Sequence, residues 1–177
     1  ANDIGAVALA LDICAEGADA EAVRAATGTF GRIDGLVNNA GRVDEADILE
    51  TTAELWHDTM RLNLEAPFLW CKAVLPVMLE QGCGAIVNVS SIEALQVRPR
   101  HFPYVISKSG LNSMTRAIAT DFGRRGIRCN TLSPGSVRTE MFETYTAQYP
   151  GLAAHLESLN YAGRLGTTEE IGNAAVY

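Results

Sequence analysis

The sequence predicts an α/β fold, a doubly wound parallel sheet with helices in three layers. Short apolar runs alternate along the chain with longer helical segments, as in successive β-α units. Those runs carry few polar positions, which is typical of strands buried on both faces of a parallel sheet. The length of 177 residues fits one domain, so we treat residues 1–177 as a single unit.

Four strands are predicted from these apolar runs. Each run is short, and each ends in polar or small residues that predict a loop. In such a sheet, ligands bind at the carboxyl ends of the strands, so we expect the functional residues there. The strands are Val7–Cys14, Asp34–Asn38, Ala85–Ser90 and Ile127–Leu132.

Four helices separate the strands, at Ala18–Phe30, Ala53–Gln81, Pro103–Arg125 and after Thr168. Pro76 predicts a kink or break in the second helix, because proline lacks the N–H of the helical ladder. Gly126 predicts the end of the third helix. Thr168 is the expected N-cap of the last helix, since Glu169 and Glu170 follow it.

Composition excludes several classes of function. A net charge of −7 argues against a nucleic-acid surface and against an anionic membrane. The four cysteines show no C-x-x-C spacing, which predicts reduced buried thiols and no metal site. We see no signal peptide and no apolar run of the roughly 20 residues that a membrane span needs, so we expect a cytoplasmic protein.

Tyr104 and Lys108 lie four residues apart in a predicted helix, where their side chains share a face. The chain has only two lysines, so this spacing is informative. An ammonium group near a phenol favours phenolate by about 4 kcal/mol at an effective dielectric of about 20. We therefore expect Lys108 to lower the pKa of Tyr104 towards neutrality, where the phenol can exchange protons.

Other polar positions have two interpretations each. Ser90 and Ser91 end a strand, either simply as strand-ending serines or as hydroxyls beside the phenol. Asn63, in an apolar helix, is either a structural bridge or a residue that holds a water. Asn38–Gly41 and Ser133–Gly135 predict either turns or close approach of a ligand to the backbone. Asp12 caps a helix or contacts a base.

Together these motifs resemble the short-chain dehydrogenase/reductase family. The resemblance runs through Asp12-Ile13, Asn38-Asn39-Ala40-Gly41, Asn63, Ser91 and Tyr104-x-x-x-Lys108 to Pro134-Gly135-x-Val137-x-Thr139, and on to Gly163–Gly166. It implies an oxidoreductase that transfers a hydride between NAD or NADP and a small alcohol or ketone, with a Rossmann-like fold.

The resemblance also implies roles for single residues. Tyr104 would be the general acid/base, Lys108 would lower its pKa and hold the nicotinamide ribose, Ser91 would polarise the carbonyl, and Asn63 would hold a relay water. Cofactor contacts would come from Asp12 and Ile13 at the adenine, Asn39, Ala40 and Gly41 at the ribose and pyrophosphate, and Pro134, Gly135, Val137 and Thr139 at the nicotinamide.

The sequence departs from the family in having no glycine-rich phosphate-binding motif. We therefore expect a fragment that lacks the first two strands and the last strand of the fold. Its first visible strand would lack a neighbour, and the piece alone would fold poorly and bind dinucleotide weakly. The absent second strand would also carry the choice between NAD and NADP.

Two segments are expected around the substrate. The first carries Arg98, Arg100 and His101, which either grip an anionic substrate or form a solvated loop or subunit contact. The second, Met141–Tyr161, is expected to form a lid with Tyr145, Tyr149 and His155.

The helices Ala53–Gln81 and Val105–Phe122 are apolar on more than one face, which predicts a homotetramer or homodimer. The alternatives to an alcohol dehydrogenase are a non-catalytic binding or scaffold protein and an epimerase or dehydratase on the same fold. Within the enzyme class, a 3-oxoacyl thioester reductase and a sugar or hydroxy-acid dehydrogenase both remain open.

Overall fold

The computed structural model describes residues 6–177, except for the side chains of Met141 and Tyr145. Short 3-10 turns cover Ile92–Ala94 and Gly123–Arg125. The other elements, in chain order, are α1 (Ala18–Phe30), β1 (Gly35–Asn38), α2 (Ala53–Met60), a π-helical turn (Arg61–Glu65), α3 (Ala66–Gln81), β2 (Gly84–Val89), α4 (Phe102–Phe122), β3 (Ile127–Leu132), β4 (Val137–Arg138), α5 (Glu140–Thr146), α6 (Leu152–Ser158), β5 (Gly166–Thr167) and α7 (Thr168–Val176).

Strands β1, β2 and β3 form a parallel sheet in that order. The register pairs Asn38 with Asn88 and Val89 with Leu132, so the three carboxyl ends lie at one edge of the sheet. A second, two-stranded parallel sheet joins β4 to β5. The predicted α/β class is confirmed.

The hydrophobic core lies between one face of the sheet and helices α1, α3 and α4. Its most deeply buried members include Met78 of α3 and Ile86 of β2, both 0% exposed. The rest of the buried cluster comprises Ile33, Cys71, Val74, Leu75, Ile127 and Cys129. This packing fixes α4 against β2 and β3, and α4 carries the Tyr104–Lys108 pair.

The opposite face of the sheet is more open than we predicted. Along β3 the side chains alternate, with Ile127 and Cys129 buried and Arg128 and Asn130 exposed. Helix α7 approaches this face, where Ala174–Tyr177 line a cavity with Arg128 and Asn130. The prediction of strands buried on both faces is therefore wrong for β3.

The predicted first strand, Val7–Cys14, is not a strand. Residues 6–12 have no regular structure, and Val7 and Leu9 are 54% and 45% exposed. A strand needs a ladder partner for its backbone N–H and C=O groups, and no other segment of the described chain supplies one here. Without a partner in the described part of the chain, this extended run does not form a strand.

The predicted break at Pro76 does not occur, because α3 continues through this residue to Gln81. The buried side chains of Val74, Leu75 and Met78 hold this part of the helix against the sheet. The irregularity lies instead at residues 61–65, where the N–H of Ala66 donates to the carbonyl of Arg61, five residues earlier.

Residues Ala53–Gln81 form one helical segment that is long and apolar enough to cross a membrane by length and composition alone. Core helices of water-soluble proteins pass the same test, and 39% of its most apolar window is buried in this fold. Its packing against β1, β2 and α4 accounts for that apolar composition.

Two helix ends can be compared with their predicted positions. The N-cap of α7 is Thr167, not Thr168, and Thr167 and Glu170 form a reciprocal capping box. The one-residue shift arises because Thr167 retains extended backbone angles while Thr168 is already helical. Gly126, with φ of 85°, ends the 3-10 turn after α4, as expected of a residue at that position.

Candidate active site

Tyr104 and Lys108 lie on the same face of α4, as their spacing predicts. The Nζ atom of Lys108 is 5.8 Å from the centroid of the Tyr104 ring. The same Nζ donates a hydrogen bond of 2.8 Å to the carbonyl of Val89, the last residue of β2. The pair therefore sits at the carboxyl edge of the sheet.

The electrostatics of this pair differ from the prediction. Burial raises the pKa of Tyr104, and the Ser91 hydrogen bond lowers it less than burial raises it. Burial also lowers the pKa of Lys108 to about 8. The expected lowering of the Tyr104 pKa by Lys108 is thus absent in the unliganded chain, since desolvation opposes both charged forms.

Ser91 is placed to donate its proton. Its Oγ accepts the N–H of Glu93 at 3.1 Å, and its hydroxyl lies near enough to Tyr104 to lower the pKa of that phenol. A hydroxyl has one proton, and the acceptor role towards Glu93 leaves that proton for an oxygen at Tyr104. Ser90 is structural, since its Oγ donates to the carbonyl of Lys108 at 3.2 Å.

Asn63 is fully buried in the π-helical turn and acts as a bridge. Its Nδ2 donates to the carbonyl of Arg42 at 2.9 Å and to Ser107 Oγ at 3.1 Å. Its Oδ1 accepts the N–H of Arg42 at 2.9 Å. Of the two predicted roles, the side chain performs the structural one, which pins the chain after β1 to α4.

Gly41 lies directly over this bridge. A Cβ atom at this position would lie 3.2 Å from Asn63 Oδ1 and 3.3 Å from Lys108 Nζ. The loop after β1 thus approaches Lys108 closely because it has no side chain there. This is the close backbone approach that Asn38–Gly41 predicted.

The predicted cofactor residues line two adjoining cavities that share Val37 and Asn39. One of about 120 Å³ is lined by Ile13 and Ala40, together with Trp70, whose Nε1 donates to the carbonyl of Ile13 at 3.1 Å. Asp12 does not line it; its side chain accepts the N–H of Cys14 at 2.9 Å and stabilises a turn. Asp12 does not cap the following helix either, because the N-cap of α1 is Gly17 and has no side-chain cap.

The second cavity, of about 450 Å³, lies over the carboxyl ends of β1 and β2. Pro134, Val137 and Thr139 line it, with residues of α7 on its far side. Gly135 lies outside this lining, beside Asn160. The hydroxyl of Thr139 accepts the N–H of Phe142 at 3.1 Å, in the first turn of α5.

A nicotinamide dinucleotide fits these features in two ways. The apolar, partly enclosed lining at Ile13 and Trp70 suits a flat base, and the larger cavity lies towards the Lys108 side of the sheet edge. A side chain at position 41 would contact Lys108 Nζ, so glycine keeps that atom free of a neighbouring side chain there. Among residues 6–177, no group of three His, Cys, Asp or Glu side chains is arranged to hold a metal.

The arginines expected at the substrate rim are engaged elsewhere. Arg100 donates to Glu50 at 2.7 Å, and Arg98 lies 3.4 Å from a carboxylate oxygen of Glu93. His101 lies 2.6 Å from the other oxygen of Glu93. These contacts, made by arginines whose side chains are 39% and 53% exposed, favour the interpretation as solvated loop charges over an anion grip.

The expected lid consists of α5 and α6. Arg138 of β4 ties them together through ion pairs with Glu143 at 2.5 Å and Glu157 at 2.9 Å. The side chain of Tyr145 lies outside the described part of this segment. His155 is exposed on α6, so nothing directs it to the Tyr104 site.

Sequence reasoning missed two buried residues of this region. Asn88 is 0% exposed; it accepts from Asn38 at 2.8 Å and donates to Thr115 at 2.8 Å. Glu93 is 8% exposed and sits between Ser91 and His101. A single asparagine in the AIVNVS run was a detectable signal, whereas Glu93 gave none because its partners come from a loop.

Comparison with known proteins identifies the family to which this chain belongs. A family model described as enoyl-(acyl carrier protein) reductase matches residues 1–177. The D-threitol dehydrogenase of Mycolicibacterium smegmatis is 40% identical over 164 residues, covering 90% of this chain and 62% of that protein. The chain belongs to the short-chain dehydrogenase/reductase family.

Two further relatives show how wide this similarity is. A protein of Xanthobacter autotrophicus named inactive 2-(S)-hydroxypropyl-CoM dehydrogenase 2 is 37% identical, covering 100% of this chain and 79% of the relative. The solved gluconate 5-dehydrogenase of Burkholderia cenocepacia, in complex with NADP and tartrate, superposes with a TM-score of 0.86 at 31% identity, covering 94% of this chain and 65% of that one. The chain thus spans about two thirds of the length of several relatives.

Proposed function

We propose that the protein containing this chain oxidises a small alcohol or reduces the corresponding ketone with NAD or NADP, and that Tyr104 is the general acid/base. The observation that carries the proposal is the placement of Ser91, Tyr104 and Lys108 together at the carboxyl edge of the sheet. The relatives named as alcohol and sugar-acid dehydrogenases support the same chemistry.

In this proposal the bound nicotinamide supplies or accepts the hydride. Tyr104 gives its proton to the carbonyl oxygen during reduction and takes it back during oxidation. With substrate bound, Ser91 donates its one hydroxyl proton to that oxygen, while its Oγ accepts the Glu93 N–H. Without substrate, the Ser91 hydroxyl lowers the pKa of Tyr104 instead.

Lys108 contributes an ammonium group and helps to position the ribose of the cofactor. Its pKa of about 8 allows the ammonium to lose or regain a proton near neutral pH. A ribose bound beside Gly41 would contact Lys108 Nζ, because Gly41 has no side chain to cover that atom. Asn63 acts as a positioning residue, holding the Arg42 backbone against Ser107 next to this site; a relay water at Asn63 remains a proposal.

The remaining cofactor contacts are proposals of the same kind. Ile13 would meet the adenine, Asn39 and Ala40 the ribose, and Val137 and Thr139 the nicotinamide. Asp12, Pro134 and Gly135 would shape the loops that carry these contacts. A cytoplasmic location is part of the proposal.

The alternative is a non-catalytic protein on the same fold, and one relative is indeed named inactive. The presence of Ser91, Tyr104 and Lys108 in one cluster favours the enzyme. An epimerase or dehydratase would use the same site without net release of reduced cofactor.

The proposal is tested by mixing the protein at its natural length with NAD or NADP and a panel of secondary alcohols, polyols and ketones. We expect a net change in nicotinamide absorbance with at least one substrate. Product formed without such a change would favour an epimerase or dehydratase. Cofactor binding with no turnover across the panel would favour the non-catalytic alternative.

A further inference from the structure

Beside Tyr104 lies an acid–imidazole pair that the reaction above does not use. Glu93 and His101 are joined by a contact of 2.6 Å between Oε2 and Nδ1, and their side chains are only 10% and 17% exposed. Each carboxylate oxygen has one partner, because Arg98 Nε lies 3.4 Å from Oε1. A carboxylate that is nearly removed from water is thus held by two side chains.

The contact with Glu93 fixes which ring nitrogen of His101 carries the proton. A carboxylate accepts hydrogen bonds, so the proton of the neutral imidazole resides on Nδ1, towards Glu93. Nε2 then carries a lone pair and accepts a hydrogen bond. Among the side chains that the structure describes, none hydrogen-bonds to Nε2.

The backbone around His101 is held from both sides. The N–H of Ala46 donates to the carbonyl of Arg100 at 2.7 Å, and the N–H of Phe102 donates to the carbonyl of Ala46 at 3.1 Å. Arg100 itself has φ of 63°, a left-handed conformation that non-glycine residues rarely adopt. A strained residue next to His101, held by an ion pair to Glu50, indicates that this loop has a required position.

That position is next to the reacting group. The rings of His101 and Tyr104 meet edge to face, with centroids 6.2 Å apart. Glu93 also donates its N–H to Ser91 at 3.1 Å. Glu93 therefore contacts two side chains of the site: Ser91, which lies at the reacting oxygen, and His101, whose ring lies beside Tyr104.

We propose that His101, oriented by Glu93, accepts a hydrogen bond from a hydroxyl on the carbon next to the reacting carbon, so that the substrate is a polyol or hydroxy ketone. This rests on the proposed function of Tyr104. A lone pair backed by a carboxylate attracts a hydroxyl donor and repels a carboxylate. The neighbouring arginines are paired with Glu93 and Glu50 and do not reverse this preference.

The experiment compares 2,3-butanediol, 2-butanol and 3-hydroxybutyrate as substrates of the protein at its natural length. The wild type should prefer the diol in kcat/KM. His101→Leu should lower the ratio of diol to 2-butanol by about 10-fold or more, since it removes the acceptor of one hydrogen bond. His101→Gln, which keeps an acceptor, should restore part of this ratio, and Glu93→Gln should lower it through KM.

The exposed His57 supplies the matched control, because His57→Leu changes the same residue type at a side chain with no recorded contact to Tyr104. The ratio corrects for any loss of folded protein, since both alcohols need the same Tyr104 chemistry. A wild-type preference for 2-butanol or 3-hydroxybutyrate, or an equal ratio in wild type and His101→Leu, would overturn the inference while leaving the proposed function intact. Absence of turnover with every substrate would overturn both.

Discussion

Tyr104 and Lys108 are buried side chains whose pKa values are set mainly by desolvation. Burial raises the pKa of the phenol and lowers that of the ammonium to about 8, so the neutral form of each is favoured. Their spacing in the sequence predicted that they share a face of α4. The sign of the Tyr104 shift could not be predicted, because burial depends on side chains from β2 and the loop after it.

We predict that Lys108→Met stabilises the protein at pH 7 while abolishing activity. Lowering the pKa of a lysine from 10.5 to about 8 on folding lowers the free energy of unfolding by about 3 kcal/mol at pH 7. Loss of the hydrogen bond to Val89 offsets part of this, so the free energy of unfolding should rise by about 1–2 kcal/mol.

The pH dependence has a defined sign. Between about pH 8 and 10.5 the unfolded chain binds more protons than the folded chain, so stability from Lys108 rises with pH. The gain in free energy of unfolding of Lys108→Met over wild type, measured by urea unfolding, should therefore shrink between about pH 8 and 10.5. Lys72→Met, at the exposed second lysine, is the control; an advantage of Lys108→Met that stays constant with pH would contradict the account.

At the scale of elements, the sequence pattern predicted those features that depend on residues close together in the chain. β3 has the predicted bounds, and Gly126 ends the turn after α4. The segment Val7–Cys14 was predicted wrongly because a ladder partner is not encoded in the strand itself. The π-helical turn was not predicted either, since it depends on the hydrogen bonds of Asn63 with Arg42 and Ser107.

Gly126 joins α4 to β3, and we predict that Gly126→Ala destabilises the fold by about 3 kcal/mol or more. Its φ of 85° strains any other residue, and a Cβ would lie 2.0 Å from the carbonyl oxygen of Gly82. Gly17→Ala is the matched control, because Gly17 has φ of 80° with nothing within 4 Å of a Cβ. Equal losses for the two variants in urea unfolding would show that strain alone, without the clash, governs both positions.

At the scale of the whole molecule, the fold class and most of the site were predictable because the motifs occur in a fixed order at strand ends. Ser91, Tyr104, Lys108 and Gly41 come together as expected. Glu93 and His101 were harder to predict, since their pairing depends on a loop whose path is fixed by Ala46 and Glu50.

The outer faces of α3 and α4 form an apolar groove of about 410 Å³, with Phe68 48% exposed at its edge. We propose that this groove is covered by a second copy of the chain, as the apolar helices predicted. Phe68→Asp should shift sedimentation of the protein towards monomer, whereas Leu49→Asp, at a residue 92% exposed elsewhere, should not. A wild-type monomer, or an unchanged oligomer in Phe68→Asp, would contradict this proposal.

The central claim is that the hydroxyl of Tyr104 transfers the proton, and Tyr104→Phe in the protein at its natural length tests it most directly. Nicotinamide fluorescence should show cofactor binding within about threefold of wild type, because the ring and its packing remain. Turnover should fall by about 10²–10⁴, the usual contribution of a general acid/base. Turnover at the wild-type rate with bound cofactor would contradict the account.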